Sequence, residues 1–240
     1  MAVPEAVPTT VPPAGNPVIV AIDGPSGTGK SSTSKAVAVR LGLGYLDTGA
    51  QYRAMTWWML ENGVDVADQA AVAAAASKPV IVSGTDPRAP TITVDGTDVA
   101  APIRGQAVTA AVSAVSAVPE VRTRVTGLQR TIAAGAGGGI VVEGRDIGTT
   151  VLPDADVKIF LTASAEARAA RRSAELTGAE AADVAATRAA LVRRDAADSG
   201  RKTSPLAKAA DAIEVDTTEL TLDQVVERVA ELVDGKRRPR

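Results

Sequence analysis

The chain has no cysteine and no histidine. The first absence removes disulfides, thiolate nucleophiles and cysteine-based metal centres, and suits a reducing compartment. The second removes histidine zinc sites and every hydrolytic arrangement that relies on an imidazole base. Any chemistry performed here works without one. Aromatic residues are scarce, with two Trp, two Tyr and one Phe among 240 residues, so a core of small aliphatic contacts, chiefly Ala and Val, is expected. No apolar run approaches the roughly 20 residues that span a bilayer, and no membrane partner is expected. Residues 1–17 are broken by prolines and lack both the basic start and the continuous apolar stretch of a secretory signal; they read as a flexible extension. A net charge of −2 provides no general basic field, so nucleic acid is not an expected partner.

The positive charge present is mostly arginine, whose planar fork matches phosphate and carboxylate oxygens. The basic end at 236–240 reads as a frayed, solvated tail. Between the tails, 45% apolar content and this length suit a single α/β domain over residues 18–235. Val18 to Ile22, Ile140 to Val142 and Val157 to Leu161 are continuous apolar runs of the kind buried in parallel sheets, with Tyr45-Leu46 and Ala212 to Val215 as shorter strands. Helical patterns lie between them: about Lys30 to Leu41, Gln51 to Glu61, Arg104 to Ala134 with a break at Pro119, an Ala/Arg-rich stretch before residue 200, and Leu222 to Val233. This alternation predicts a three-layer, doubly wound parallel sheet of about five strands. Residues 79–99 are β-rich with an Asp95-Gly96 turn signal, and read as an insertion.

The sharpest signal is Gly24-Pro25-Ser26-Gly27-Thr28-Gly29-Lys30-Ser31, which satisfies G-x-x-x-x-G-K-[ST] at every fixed position. It follows an apolar strand and opens a helix, as a phosphate-binding P-loop requires. Glycines let backbone N–H groups turn in around ATP phosphates, and the helix N-terminus adds a favourable dipole. Lys30 is placed to reach the β- and γ-phosphates and the Ser31 hydroxyl to ligate Mg²⁺, with Ser32 completing the ATP-binding run. The Asn-Lys-x-Asp motif of guanine readers is absent: the only asparagines are Asn16, before proline, and Asn62, before glycine.

Three further segments fall at strand ends or in the late helical region. They are Asp47-Thr48-Gly49-Ala50-Gln51-Tyr52-Arg53; Glu143-Gly144-Arg145-Asp146-Ile147-Gly148-Thr149; and Arg193-Arg194-Asp195 with Asp198, Arg201 and Ser204-Pro205-Leu206. Together with the P-loop they closely resemble the bacterial cytidylate kinases, P-loop nucleoside monophosphate (NMP) kinases, over about Val18 to Val233. The resemblance implies a transfer of the γ-phosphoryl group from ATP to CMP or dCMP, with Mg²⁺. It implies an NMP-binding part over about 48–122, containing the insertion, and a lid over about 165–201. It also implies roles: Arg53, Arg145 and Arg201 on the acceptor's phosphate; Asp198 and Arg194 on the ribose, with Thr48 and Tyr52 nearby; Ser113, Arg122 and Asp146 on cytosine. Lys30, Arg145 and Arg201 would be the catalytic cations, and Arg171 a lid residue touching ATP. Members often carry Asp where this chain has Glu143, and either carboxylate suits orienting Mg²⁺-bound water.

Each residue also has a plainer reading. Arg145 could be a structural ion-pair partner, Ser113 a packing serine, Arg122 a solvated surface charge, and Arg168, Arg171 and Arg172 an exposed basic face. A P-loop kinase for another NMP or small anionic metabolite stays open, as does a switch that hydrolyses ATP slowly. The chain is read as a monomer, and as cytoplasmic because ATP is found there.

Overall fold

The computed structural model describes residues 17–175, 184–201 and 203–237. The expected extension at 1–17 (save Pro17), part of the expected lid (176–183) and the end of the basic tail (238–240) lie outside them. Five parallel strands make the main sheet: β1 (Ile19–Asp23), β2 (Gly44–Asp47), β6 (Ile140–Glu143), β7 (Val157–Thr162) and β8 (Ile213–Asp216), in the order β2-β6-β1-β7-β8. β1 is central because it is apolar on both faces. Val20 and Ile22 join Val37, Ala38 and Val229 against α1 (Lys30–Leu41) and α8 (Leu222–Arg237). Ala21, between them, joins Val142, Ile147 and Ala133 on the opposite face, under α5 (Pro119–Gly135). That period of two is the sheet's own. β7 departs from the expected two-faced burial: Val157, Ile159 and Leu161 are buried while Lys158, Phe160 and Thr162 are half-buried, because α8 covers one face only at this side.

A second core lies beside the sheet. It is built from α2 (Thr48–Glu61), α3 (Gln69–Ala75), α4 (Gln106–Val115) and the start of α5, against an antiparallel sheet of β3 (Ile81–Ser83), β4 (Ile92–Val94) and β5 (Thr97–Asp98). The β4–β5 connection is Asp95-Gly96, with φ of 50° and 80°, the doubly left-handed turn that matches strand twist. Asp95 also ties the hairpin down, accepting from Trp58 Nε1 at 2.8 Å and from the Val80 N–H at 2.9 Å. The insertion covers the free edge of β2, where the Tyr45 N–H donates to Thr85 O at 2.9 Å. Pro119 occupies the first turn of α5, where its missing N–H costs nothing. α6 (Ala165–Glu175) and α7 (Val184–Ser199) pack together over the P-loop side.

The parallel register aligns the strand ends that matter. Asp47 pairs with Glu143, and Glu143 with Ile22, so the segments after β1, β2 and β6 leave the sheet side by side. At the opposite end of the sheet, Gly139 (φ 94°) turns the chain into β6, and a Cβ there would lie 2.5 Å from Val18 O. Gly139→Ala should therefore lower stability by about 3 kcal/mol in urea denaturation, with ATP affinity unchanged. An unaltered midpoint would contradict this tight approach of the two strands.

Candidate active site

The three strand ends open into one crevice of about 420 Å³. One wall is the P-loop. Gly24 (φ 146°) leaves no room for a side chain, since a Cβ would meet Leu161 O at 2.2 Å. Ser26, Gly27, Gly29, Lys30, Ser31 and Ser32 line the crevice, while Gly24, Pro25 and Thr28 stand behind them. Lys30 donates to Pro25 O at 2.6 Å. Burial, and then Arg145, push its ammonium well below the usual lysine range. Ser31 Oγ donates to Glu143 Oε2 at 3.1 Å, and Tyr45 OH donates to Glu143 Oε1. Burial and the nearby Asp47 carboxylate push Glu143 upward, while Lys30 pulls the other way.

The opposite wall carries the acceptor-side residues, and most of those expected from sequence arrive there: Thr48, Tyr52, Arg53, Ser113, Arg122, Arg145, Asp146, Arg194 and Arg201 all line the crevice. Thr48 Oγ1 donates to Glu143 O at 2.6 Å. Arg53 is held by Ile103 O and Thr109 Oγ1, at 3.1 and 2.9 Å. Arg122 is not the solvated charge that its helix suggested. It is 4% exposed, bound to Asp146 Oδ2 at 2.5 Å, with its guanidinium 5.3 Å from the Tyr52 ring centre. α5 delivers it inward because Val121 and Val125 share that buried side of the helix. Arg145 is a structural ion-pair partner that also lines the crevice: it pairs with Asp198 at 3.1 Å and donates to Ser26 Oγ at 2.6 Å.

Asp198 and Arg171 stand apart from the crevice lining. Asp198 is 2% exposed, lying behind Arg145 and Arg201 and accepting from both, from Arg201 at 2.5 Å. Arg171 donates to Thr217 Oγ1 at 2.9 Å. Its neighbour Arg172 lines the crevice instead. Arg168 does not belong to an exposed basic face either: it is buried, donating to Ser26 O at 3.0 Å and to Asp195.

Several contacts escaped the sequence reading. Ser26 is a junction: its N–H donates to Asp195 at 3.2 Å, its carbonyl accepts from Arg168 and its hydroxyl from Arg145. Asp195 was visible only as part of an Arg-Arg-Asp run. Arg104, which reaches Asp47 at 3.2 Å from the short turn Pro102–Arg104, had no motif to flag it. Asp23 is buried at the end of β1, accepting from Ile147 N and Gly148 N at 2.9 and 2.8 Å. Its only signal was an acid directly before the P-loop.

The electrostatics have one dominant feature. Burial lowers Arg53 and Arg194 to about 10, each further lowered by neighbouring arginines, and lowers Arg201 as well. The Nε groups of Arg122, Arg194 and Arg201 have no acceptor among the described residues. Buried donors and crowded cations of this kind are completed by anionic oxygens.

A P-loop at the end of the central strand, facing an arginine-rich wall in an open parallel sheet, defines a P-loop nucleotide-binding phosphotransferase. The family model for cytidylate kinase matches residues 20–235, and the chain belongs to that family. It is 76% identical over 229 residues to the cytidylate kinase of Streptomyces griseus, covering 95% of this chain and 98% of that protein. It is likewise 76% identical over 220 residues to the cytidylate kinase of Streptomyces coelicolor, covering 92% and 94%. Among solved structures, an uncharacterized protein from Eubacterium ventriosum shares the fold at a TM-score of 0.50 and 13% identity, covering 91% of this chain and 98% of that one.

Asp23 supplies a pH test of this geometry. Burial raises its carboxyl from 3.8 to about 6, against the lowering effect of the Gly148 and Ile147 N–H groups; Asp146 raises it further and Lys30 lowers it. An acid with the higher pKa when folded takes up a proton on folding, so its contribution to stability falls as pH rises through that window. The stability of the wild type relative to Asp23→Asn should drop by about 2 kcal/mol between pH 4 and 7. A difference independent of pH in urea denaturation would contradict the burial of a titrating carboxyl.

Proposed function

We propose that this enzyme transfers the γ-phosphoryl group of ATP to the 5′-phosphate of CMP or dCMP, giving ADP and CDP or dCDP, through the residues gathered in the crevice. The observation that carries this reading is a single cavity with a P-loop on one wall and, on the other, guanidinium groups beside a buried Arg122–Asp146 pair. The P-loop and Lys30 hold the donor phosphates. Arg53, Arg145 and Arg201 hold the acceptor phosphate, with Arg194 and Asp198 toward the ribose. Asp146 accepts from the cytosine amino group, and Arg122 donates to the ring acceptors, aided by Ser113. Uracil presents an acceptor where cytosine has the amino group, and a protonated N3. Two favourable contacts would then become mismatched.

No general base is required. The acceptor is a phosphate monoester whose second pKa is near 6, so it is mostly dianionic at neutral pH and already nucleophilic. The protein's part is to set donor and acceptor in line and to surround the transferring group with cations. Arg145 is suited to that midpoint, since it bonds to the P-loop through Ser26 and shares Asp198 with Arg201. Mg²⁺ fits the donor side. Ser31 and Glu143 offer a hydroxyl and a carboxylate 3.1 Å apart, and this ion commonly takes one or two carboxylates with phosphate oxygens and water. No group of three or more acidic side chains suited to a metal cage occurs among the described residues. Bound there, the ion would neutralise charge on the β- and γ-phosphates.

We further read α6 and α7 as the lid, expected over about 165–201, and about 48–122 as the acceptor-binding part. Closure over both nucleotides would exclude water, the competing acceptor. Among the described residues no helix is long and apolar enough to cross a membrane, and the use of ATP supports a cytoplasmic setting.

Initial-rate ADP formation with ATP and Mg²⁺ against CMP, dCMP, UMP, AMP and GMP tests the reading. CMP and dCMP should turn over strongly, with UMP and the purines far behind. Equal or greater turnover with another nucleotide would sink the cytosine assignment and keep the kinase; ATP loss indifferent to every acceptor would indicate a switch. Arg201→Ala should reduce kcat/KM for CMP by roughly a hundredfold or more, while ATP hydrolysis without acceptor stays low. Retention of near-normal transfer would remove Arg201 from the catalytic cations.

A further inference from the structure

Asp23 ends β1, immediately before the first glycine of the P-loop, and plays no part in the steps above. Both of its oxygens are committed to one short stretch of backbone. Oδ1 accepts from the Ile147 N–H at 2.9 Å and Oδ2 from the Gly148 N–H at 2.8 Å. These residues open the single helical turn Ile147–Val151, whose first N–H groups have no partner within the turn itself. Asp146 is the residue just before it. Two further bonds reinforce the attachment: the Gly144 N–H donates to Ile22 O at 3.0 Å, and the Arg145 side chain donates through Nη1 to Gly24 O at 3.0 Å. Residues 144–148 are thus stitched to the strand that launches the P-loop, and Asp23 is the side chain that holds the far end of that stretch. There is little slack, since a Cβ on Gly148 would lie 3.2 Å from Lys158 Cδ.

We propose that Asp23 is a positioning residue for acceptor recognition: it fixes the backbone of residues 146–148 against the donor cradle and so sets where Asp146 meets the base. The proposal rests on the reading of Asp146 as a base-reading residue. The carboxylate is suited to the task because it accepts from two parallel N–H groups at once. An asparagine in its place accepts from one and turns its own amide N–H₂ toward the other, leaving a buried donor without an acceptor. The turn must then shift. A displacement of about 1 Å at a reacting centre costs up to a hundredfold, and here it would fall on the base and on the acceptor's approach rather than on ATP.

The test measures kcat and KM for CMP and UMP in wild type, Asp23→Asn and Asp23→Glu, with Asp146→Ala in parallel. Calorimetry gives the Kd of MgATP for each without acceptor. In both Asp23 variants the KM for CMP should rise roughly tenfold and the CMP-over-UMP ratio of kcat/KM fall by a similar factor. The Kd of MgATP should stay within about twofold. The ratio compares two acceptors on the same folded molecules, so a reduced folded fraction does not alter it. A wild-type ratio in both Asp23 variants, alongside a collapsed ratio in Asp146→Ala, would overturn the proposal and make Asp23 merely structural. MgATP binding weakened as much as CMP use would overturn it too, by showing a general loss of the P-loop. A ratio unchanged even in Asp146→Ala would refute the base assignment itself, and the proposal with it.

Discussion

Guanidinium groups are expensive to remove from water, and this fold removes several of them around one cavity. Arg53, Arg122, Arg145, Arg194 and Arg201 line it together with Lys30, while Asp146 and Glu143 are the buried acids beside them and Asp198 stands behind. Burial and mutual repulsion already depress Arg53 and Arg194 to about 10. Such a cluster holds together because buried acids are placed among the cations. Asp198 serves two arginines at once, and Asp146 neutralises the most deeply buried one. The arrangement remains short of acceptors, with the Nε groups of Arg122, Arg194 and Arg201 unpartnered among the described residues, and the proposed nucleotide phosphates would supply them. On the proposed function, the same side chains serve folding and ligand binding.

The same constraint explains how α6 and α7 connect to the P-loop. The P-loop is held by contacts from three directions that meet at Ser26: Arg145 from the loop after β6, Arg168 from α6 and Asp195 from α7. Every one of these bonds is polar and sits beside the phosphate cradle. Phosphate arriving at the P-loop changes the field that all three feel. α6 and α7 are thus tied to the donor cradle through charged side chains, which suits the proposed role of these helices as a lid.

Much of this was legible in the chain, and the reasons are local. The P-loop is contiguous, and its glycines, lysine and strand–helix context are all fixed by the same chemistry. Apolar parallel strands in the sequence already put Asp47, Glu143 and Arg145 at neighbouring strand ends, where ligands in such sheets sit. The hairpin at Asp95-Gly96 was readable from two residues. What escaped depends on contacts between residues far apart in sequence. Arg122 was expected beside Asp146 only through the family resemblance; its own helix left a surface charge open, and the fold of α5 turns it inward. Arg168 looked like one face of a basic helix, although 27 residues away Asp195 takes its guanidinium. Asp23 was a single acid with its partners more than 120 residues downstream. Periodicity locates a helix; it does not say which of its charges faces a distant partner.

On the proposed function, one crevice accepts both nucleotides with their phosphates in line. Calorimetry with adenosine and cytidine joined 5′ to 5′ through five phosphates tests it most directly, against ATP and CMP measured separately. A shared crevice predicts one molecule bound per chain, with affinity roughly a hundredfold or more above either nucleotide alone. Binding no tighter than ATP, or two molecules per chain, would contradict it.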